Sequence, residues 1–185
     1  SALEEANTPN LDKLAAVSSC GLTEPVALGI TPGSGPSHLG LFGYDPIKYK
    51  IGRGVLEALG VGLEVGRADV AARGNFCTVD ESGIVTDRRA GRIPTEKNRQ
   101  LVEKLRSITV KGIDIRIEPA EFHRFAVVFR GEGLSGDIED TDPQHVGEMP
   151  KSAVPRSPEA AYTAGLINQW IAKVKDTLKN EEPAN

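Results

Sequence analysis

The sequence is poor in cysteine, histidine, aromatic residues and unbroken apolar runs, and each shortage excludes a class of protein. Two cysteines, Cys20 and Cys77, in 185 residues form no disulfide framework and lack the paired spacing of a zinc site. They read as reduced thiols and point to a cytoplasmic location, with Cys77 a small core residue of a strand. Three histidines, His38, His123 and His145, are too few for a complete dinuclear metal centre, and no His/Asp/Glu cluster has the spacing of one. No segment keeps the unbroken apolar length of about 18 residues that a helical membrane span needs, and the N-terminus lacks the form of a signal peptide. Charge of one sign is also missing: 22 Lys and Arg against 26 Asp and Glu leave a net charge of −4. No broad field favours nucleic acid or an anionic membrane, so any anion site must be local.

What is plentiful is glycine, and half of the 20 glycines fall before residue 63. The densest cluster is Thr31-Pro32-Gly33-Ser34-Gly35-Pro36-Ser37-His38, directly before the apolar segment Leu39 to Phe42. Gly33 and Gly35 permit close backbone approach to a phosphate, and a helix beginning near Pro36 would aim free N–H groups and its positive dipole end at the same anion. Ser34 is thereby a candidate nucleophile, with His38 one helical turn away; a plain turn is the alternative that composition alone favours.

The chain divides near residue 65. Before it lie short helical candidates and no self-contained core: Thr8 is a fitting N-cap with Pro9 at the first helical position, and a second helix should run from Arg53 to Leu59 and stop at Gly60. After it the pattern is that of an α/β unit. Val70 to Val79 and Ile84 to Arg88 read as a hairpin around the turn Asp80-Glu81-Ser82-Gly83. Thr95 is placed to cap a helix whose Leu101, Val102, Leu105 and Ile108 share a face. Ile113, Ile115 and Ile117 alternate with charged residues as in a half-buried strand, and Phe125 to Phe129 is a continuous apolar run suited to a central strand. Ser157-Pro158-Glu159 opens the longest helix, with Ala160, Ala164, Ile167, Ile171, Val174 and Leu178 as its stripe. The order β-β-α-β-β-α predicts an α/β fold with a layer of helices over one mixed β-sheet, followed by a linker over 181–185.

Strand periodicity puts Arg73 and Asn75 on one face and sends Arg88 and Arg89 to opposite faces. With Arg92, this makes four arginines in the expected hairpin, and a guanidinium fork suits a phosphate through paired charge-assisted bonds. Solvated strand ends paired with Asp80 and Asp87 remain an alternative. Arg53, between Gly52 and Gly54, permits close approach of an anion or is simply an exposed residue before a helix. His123 and Arg124 stand at the entrance of the apolar strand, and Asp142, held extended by Pro143, sits in an acidic turn.

The runs Ser34 to Pro46, Ile51 to Gly60, Asp69 to Phe76 and Asp87-Arg88-Arg89-Ala90-Gly91-Arg92, in this order, resemble the archaeal-type, cofactor-independent phosphoglycerate mutases. Thr8-Pro9-Asn10-Leu11-Asp12-Lys13-Leu14-Ala15 is similar to a segment shared across the alkaline phosphatase superfamily. The resemblance implies a part of a metalloenzyme catalytic domain over 1–64, carrying the serine loop, and an inserted substrate-covering domain over 65–180. It implies interconversion of 3-phosphoglycerate and 2-phosphoglycerate with two divalent cations, manganese or magnesium and sometimes zinc. Ser34 would coordinate a metal and take the phosphoryl group, a role suited to a serine that metal coordination activates. His38, Arg53, Arg73, Asn75, Arg88, Arg89, Arg92, His123, Arg124 and Asp142 would contact substrate.

The family's remaining metal ligands lie in motifs before and after the region matched, so the expectation is a piece of a longer enzyme. Such a piece should be inactive alone, hold no metal tightly, and self-associate through the exposed faces of its partial catalytic domain. Other readings stay open: a further phosphotransferase or phosphatase of the superfamily, or a non-catalytic phosphate-ligand or interaction module.

Overall fold

In the computed structural model of the chain, residues 2, 4–30, 32–49 and 51–185 are described; Thr31, the first residue of the serine-containing run, lies outside them. They form two compact units, Ser1–Lys50 and Ile51–Asn185. The boundary between these compact units falls ahead of the third helix.

The first unit contains α1 (Pro9–Ala16) and α2 (Ser34–Leu41). Thr8 occupies the N-cap position of α1 with Pro9 after it, but its hydroxyl donates to the Asp12 carboxylate at 3.0 Å instead of capping a backbone N–H. No described residue of this unit is buried.

The second unit is organised by its most apolar strand. Its elements are α3 (Arg53–Gly60), β1 (Val70–Asn75), β2 (Thr78–Val79), β3 (Val85–Asp87), α4 (Thr95–Leu105), β4 (Asp114–Pro119), β5 (Arg124–Arg130) and α5 (Ala161–Leu178). The central five residues of β5 are all buried, because the strand lies between β1 and β4 and is covered on both faces. Both pairings are antiparallel, so the sheet is not the mixed one expected. On one face Phe125, Val127, Phe129 and Ile117 meet Leu101 and Leu105 of α4 and Leu166 and Trp170 of α5. Trp170 packs edge-on against Phe129 and Phe125, with centroids 5.4 and 6.4 Å away. The buried side of α5 thus centres on Thr163, Leu166 and Trp170, while Ile167, Ile171 and Val174 of the expected stripe are half-buried beside it. On the other face Ala126 and Val128 pack against Ala58 of α3, so helices flank the sheet on both sides instead of forming one layer.

The expected hairpin is split. β1 pairs with β5, and only the two residues of β2 pair with β3, across the turn that Asp80 closes by accepting the N–H groups of Ser82 and Ile84. Thr95 is the first residue of α4, not its cap; its hydroxyl accepts the N–H of Phe122 at 3.1 Å. The loop 131–156 is tied down by polar side chains of α5: Thr163 accepts the N–H of Ser135, and Asn168 makes a two-bond pair with the Ala153 backbone.

Residues 181–185 are docked and do not form a linker. Glu181 joins Lys97 and Lys104 of α4, Ala184 is 2 % exposed, and the Asn185 amide bonds both the N–H and the C=O of Val79, at 3.0 and 3.1 Å. Among the described residues no helix is long and apolar enough to cross a membrane, and Cys20 and Cys77 are free thiols.

Candidate functional site

Ser34 opens α2 instead of preceding it. Gly33 is extended (φ −92°, ψ 163°) and serves as N-cap, so the first helical bond is Ser37 N–H to the Gly33 carbonyl at 3.0 Å. The N–H groups of Ser34 and Gly35 are left over at the helix start, where Pro36 has none to offer. His38, an exposed residue, has Nδ1 2.6 Å from the Ser34 carbonyl oxygen and donates to it. The imidazole is thus engaged with the serine's backbone.

In the second unit the polar residues gather where β1 ends and β5 begins. The register opposes Asn75 to Arg124 and Arg73 to Ala126, which puts Arg73, Asn75 and Arg124 on one face. Beside them the His123 carbonyl accepts the N–H of Phe76 at 2.7 Å, extending the ladder one residue. Burial holds the imidazole of His123 below its usual pKa, and the positive charges of Arg124, Arg89 and Arg92 push the same way against Asp87. His123 is therefore neutral at pH 7, and its buried Nδ1 has no partner among the described residues.

Arg88 and Arg89 lie beyond β3, in the turn that follows it, and diverge. The Arg88 fork grips Asp142 through two bonds of 3.1 and 2.7 Å and takes Gln144 at 2.9 Å. This pairing, helped by Arg73, holds the Asp142 carboxyl below the usual carboxylate range. Arg89 and Arg92 instead bring their charge to His123. Among the described residues, the side chains of Arg73, Arg89 and Arg92 make no hydrogen bond or ion pair, and Arg124 has only a loose pair with Glu121 at 3.6 Å. The unmatched guanidiniums of Arg89 and Arg92 and the loosely matched one of Arg124 bear on the neutral imidazole, an electropositive cluster suited to a small polyanion; Arg73, also unmatched, brings its charge to Asp142 instead. Burial pushes the Cys77 thiol up, away from the thiolate form that a nucleophile needs.

Arg53 is exposed, and nothing among the described residues ties it to this cluster. Its neighbour Gly54 has a packing role: a Cβ there would sit on the Ala71 carbonyl oxygen, so the glycine lets α3 lie against β1.

One residue that sequence reasoning missed is Asn98. Fully buried on the apolar face of α4, it directs its Nδ2 at the carbonyls of Ala120, Phe122 and Arg124, at 3.2, 2.6 and 2.6 Å. With Thr95 it fixes the turn that carries His123 and Arg124, in which Phe122 takes a left-handed φ of 56°. The signal was a polar residue on the helical stripe of Leu101, Val102 and Leu105.

Comparison with known proteins adds an independent line. Residues 15–185 match the family model described as 2,3-bisphosphoglycerate-independent phosphoglycerate mutase. A protein of Aquifex aeolicus named probable 2,3-bisphosphoglycerate-independent phosphoglycerate mutase is 51 % identical, over 99 % of this chain and 47 % of its own length. The protein of the same name from Deinococcus radiodurans is 48 % identical, over 99 % and 46 %. Among solved structures, the cofactor-independent phosphoglycerate mutase of Thermoplasma acidophilum superposes with a TM-score of 0.67 at 36 % identity, covering 78 % of this chain and 39 % of that one. The chain spans about half the length of the curated relatives it matches. On the extent of that family match, this chain belongs to the 2,3-bisphosphoglycerate-independent phosphoglycerate mutases.

Proposed function

We propose that the chain is part of a phosphoglycerate mutase of the cytoplasm, acting in glycolysis and gluconeogenesis, that interconverts 3-phosphoglycerate and 2-phosphoglycerate through a phosphoserine at Ser34. The observation that carries this reading is the pair of unmatched arginines, Arg89 and Arg92, beside neutral His123, with unmatched Arg73 near Asp142, in a chain of this family. Residues 1–64 are read as part of a catalytic domain of the alkaline phosphatase type, and 65–180 as an inserted domain that covers the substrate. In the reaction the Ser34 hydroxyl gives up its proton and takes the phosphoryl group from the 3-oxygen, which is protonated as it leaves. The glycerate then turns, and its 2-hydroxyl gives up its proton and takes the phosphoryl group back as the Ser34 oxygen leaves and is reprotonated. The arginines bind the phosphate and carboxylate, and neutral His123 is able to hold or accept a proton at Nδ1 or Nε2. Water must be kept out, because hydrolysis of the phosphoserine would turn a mutase into a phosphatase.

The two cations that the resemblance implies need more than these residues offer. Among the described residues no group of three or more His, Cys, Asp or Glu is arranged to hold a metal ion. The described residues thus offer no donor set that fits a dinuclear centre, and the steps above are limited to the chain's own groups. Self-association of the 185-residue chain through the exposed apolar side chains of its first unit, Leu11, Leu14 and Leu41 among them, belongs to the same proposal.

The test is to incubate the complete protein with 3-phosphoglycerate and manganese, follow 2-phosphoglycerate, and trap the phosphoenzyme for mass spectrometry. Turnover with phosphate on Ser34 is expected. A phosphopeptide mapping elsewhere would overturn the serine assignment, and absence of turnover the mutase reading.

A further inference from the structure

Asp87, the last residue of β3, has no role in the reading above, yet it stands under the most unusual backbone of the second unit. The next turn carries three consecutive residues with left-handed φ: Ala90 at 45°, Gly91 at 62° and Arg92 at 53°. Two of them have a Cβ, which that conformation crowds against the following carbonyl, so such a run persists only where its surroundings enforce it. Ala90 is fully buried, which pins the turn from below. From the side, the Asp87 carboxylate accepts the N–H of Arg89 on one oxygen at 2.8 Å and the N–H of Gly91 on the other at 2.7 Å.

The charge arrangement is as informative as the geometry. Asp87 lies within electrostatic reach of His123 and Arg89, and a carboxylate there could neutralise a guanidinium. Both of its oxygens bond backbone N–H groups instead, and no ion pair joins it to an arginine among the described residues. The carboxylate shapes the turn and leaves the arginines open to an external anion.

We propose that Asp87 is a positioning residue: its carboxylate holds the left-handed turn and thereby aims Arg89 and Arg92 at an anionic ligand lodged beside His123. The identity of that ligand as phosphoglycerate rests on the mutase reading; the positioning itself does not.

Kinetics and amide hydrogen exchange on the complete protein test this, with Asp87→Ala and the milder Asp87→Asn, which keeps one acceptor oxygen. The expected result is faster exchange at the Arg89 and Gly91 amides and a rise in KM for 3-phosphoglycerate of about 10–100-fold in Asp87→Ala, with kcat changed less than about 3-fold. Asp87→Asn should fall between it and the wild type, and it carries the test should the alanine variant fold poorly. In an Arg89→Ala/Arg92→Ala background, Asp87→Ala should raise KM little further, since the side chains it positions are gone. A wild-type KM despite faster exchange, unchanged exchange, a loss confined to kcat, or a full additional rise in that background would each overturn the proposal. Should the wild-type protein show no turnover, the mutase reading fails. Calorimetric titration with inorganic phosphate and with 3-phosphoglycerate then decides the matter: weaker binding by Asp87→Ala supports positioning, and equal binding overturns it.

Discussion

The two units differ in how they hold themselves together. Ser1–Lys50 carries the serine on which the proposed chemistry turns and buries none of its described residues, whereas Ile51–Asn185 carries the arginines on and beside a sheet packed on both faces. In the first unit the informative residues are recognised by their order along the chain; in the second they are recognised by what surrounds them. A sequence motif can thus be complete where packing is sparse, and its chemistry need not coincide with stability.

The sharpest way to break this contrast is at Ser34. In the complete protein Ser34→Ala should abolish mutase turnover and leave the unfolding transition of the second unit unchanged, as followed by activity and by thermal unfolding; a large stability loss would show that the serine has a packing role. Next in size is a paired comparison by denaturant unfolding. Leu101→Ala, which empties fully buried volume, should cost about 2–5 kcal/mol. Leu14→Ala, at a side chain 61 % exposed, should stay within about 0.5 kcal/mol. Equal losses would erase the distinction between the units.

Gly74→Ala sharpens it further. A Cβ at this position in β1 would enter the Phe125 ring, and the overpacking should cost about 1–3 kcal/mol in the same assay. Arg73→Ala, Arg89→Ala and Arg92→Ala should each lower kcat/KM about 10–100-fold with little effect on stability, because each removes a guanidinium with no partner among the described residues. Three wild-type values would return them to the solvated surface.

The smallest effect is in acid. Hydrogen bonds from Lys104 and Lys97 hold the Glu181 carboxyl at about 2, well below its ordinary 4.5. A depressed folded-state pKa contributes stability that is fully present above the ordinary value and is lost as pH falls toward the folded one. The docked C-terminal segment should therefore loosen between about pH 4.5 and 2, and Glu181→Gln should flatten that part of a stability-versus-pH curve; an unchanged slope would contradict the assignment.

Much of this was legible in the residues. The unbroken apolar run at Phe125 to Phe129 announced a strand buried on both faces, and the arginine-rich runs supplied the residues on which the proposed anion site rests. What stayed hidden was non-local. Turn chemistry at Asp80 to Gly83 marked a hairpin correctly, but nothing in the local pattern says that the strand before it leaves at Asn75 to pair with residues 124–129. The pairing of Arg88 with Asp142 joins residues 54 positions apart, and the tail that composition marks as a linker is held by lysines 77 and 84 positions away. Gly54 was read as room for a ligand when it is room for a neighbouring strand. Asn98 was the one hidden anchor with a local sign, a polar residue on an apolar stripe.

The pairing of β1 with β5 also has a consequence in time. During synthesis β1 is complete 49 residues before the first residue of its partner exists, a wait of about 2–10 s at ordinary elongation rates. β4 and β5, joined by a short turn, can pair as soon as both emerge, so β1 is added to a template already formed. An unpaired strand that waits is an aggregation hazard, and Val-Ala-Ala-Arg-Gly-Asn is a mild one: a single branched apolar residue, a glycine, and a cation in the middle. Arg73 serves the nascent chain as a gatekeeper before it can serve a ligand.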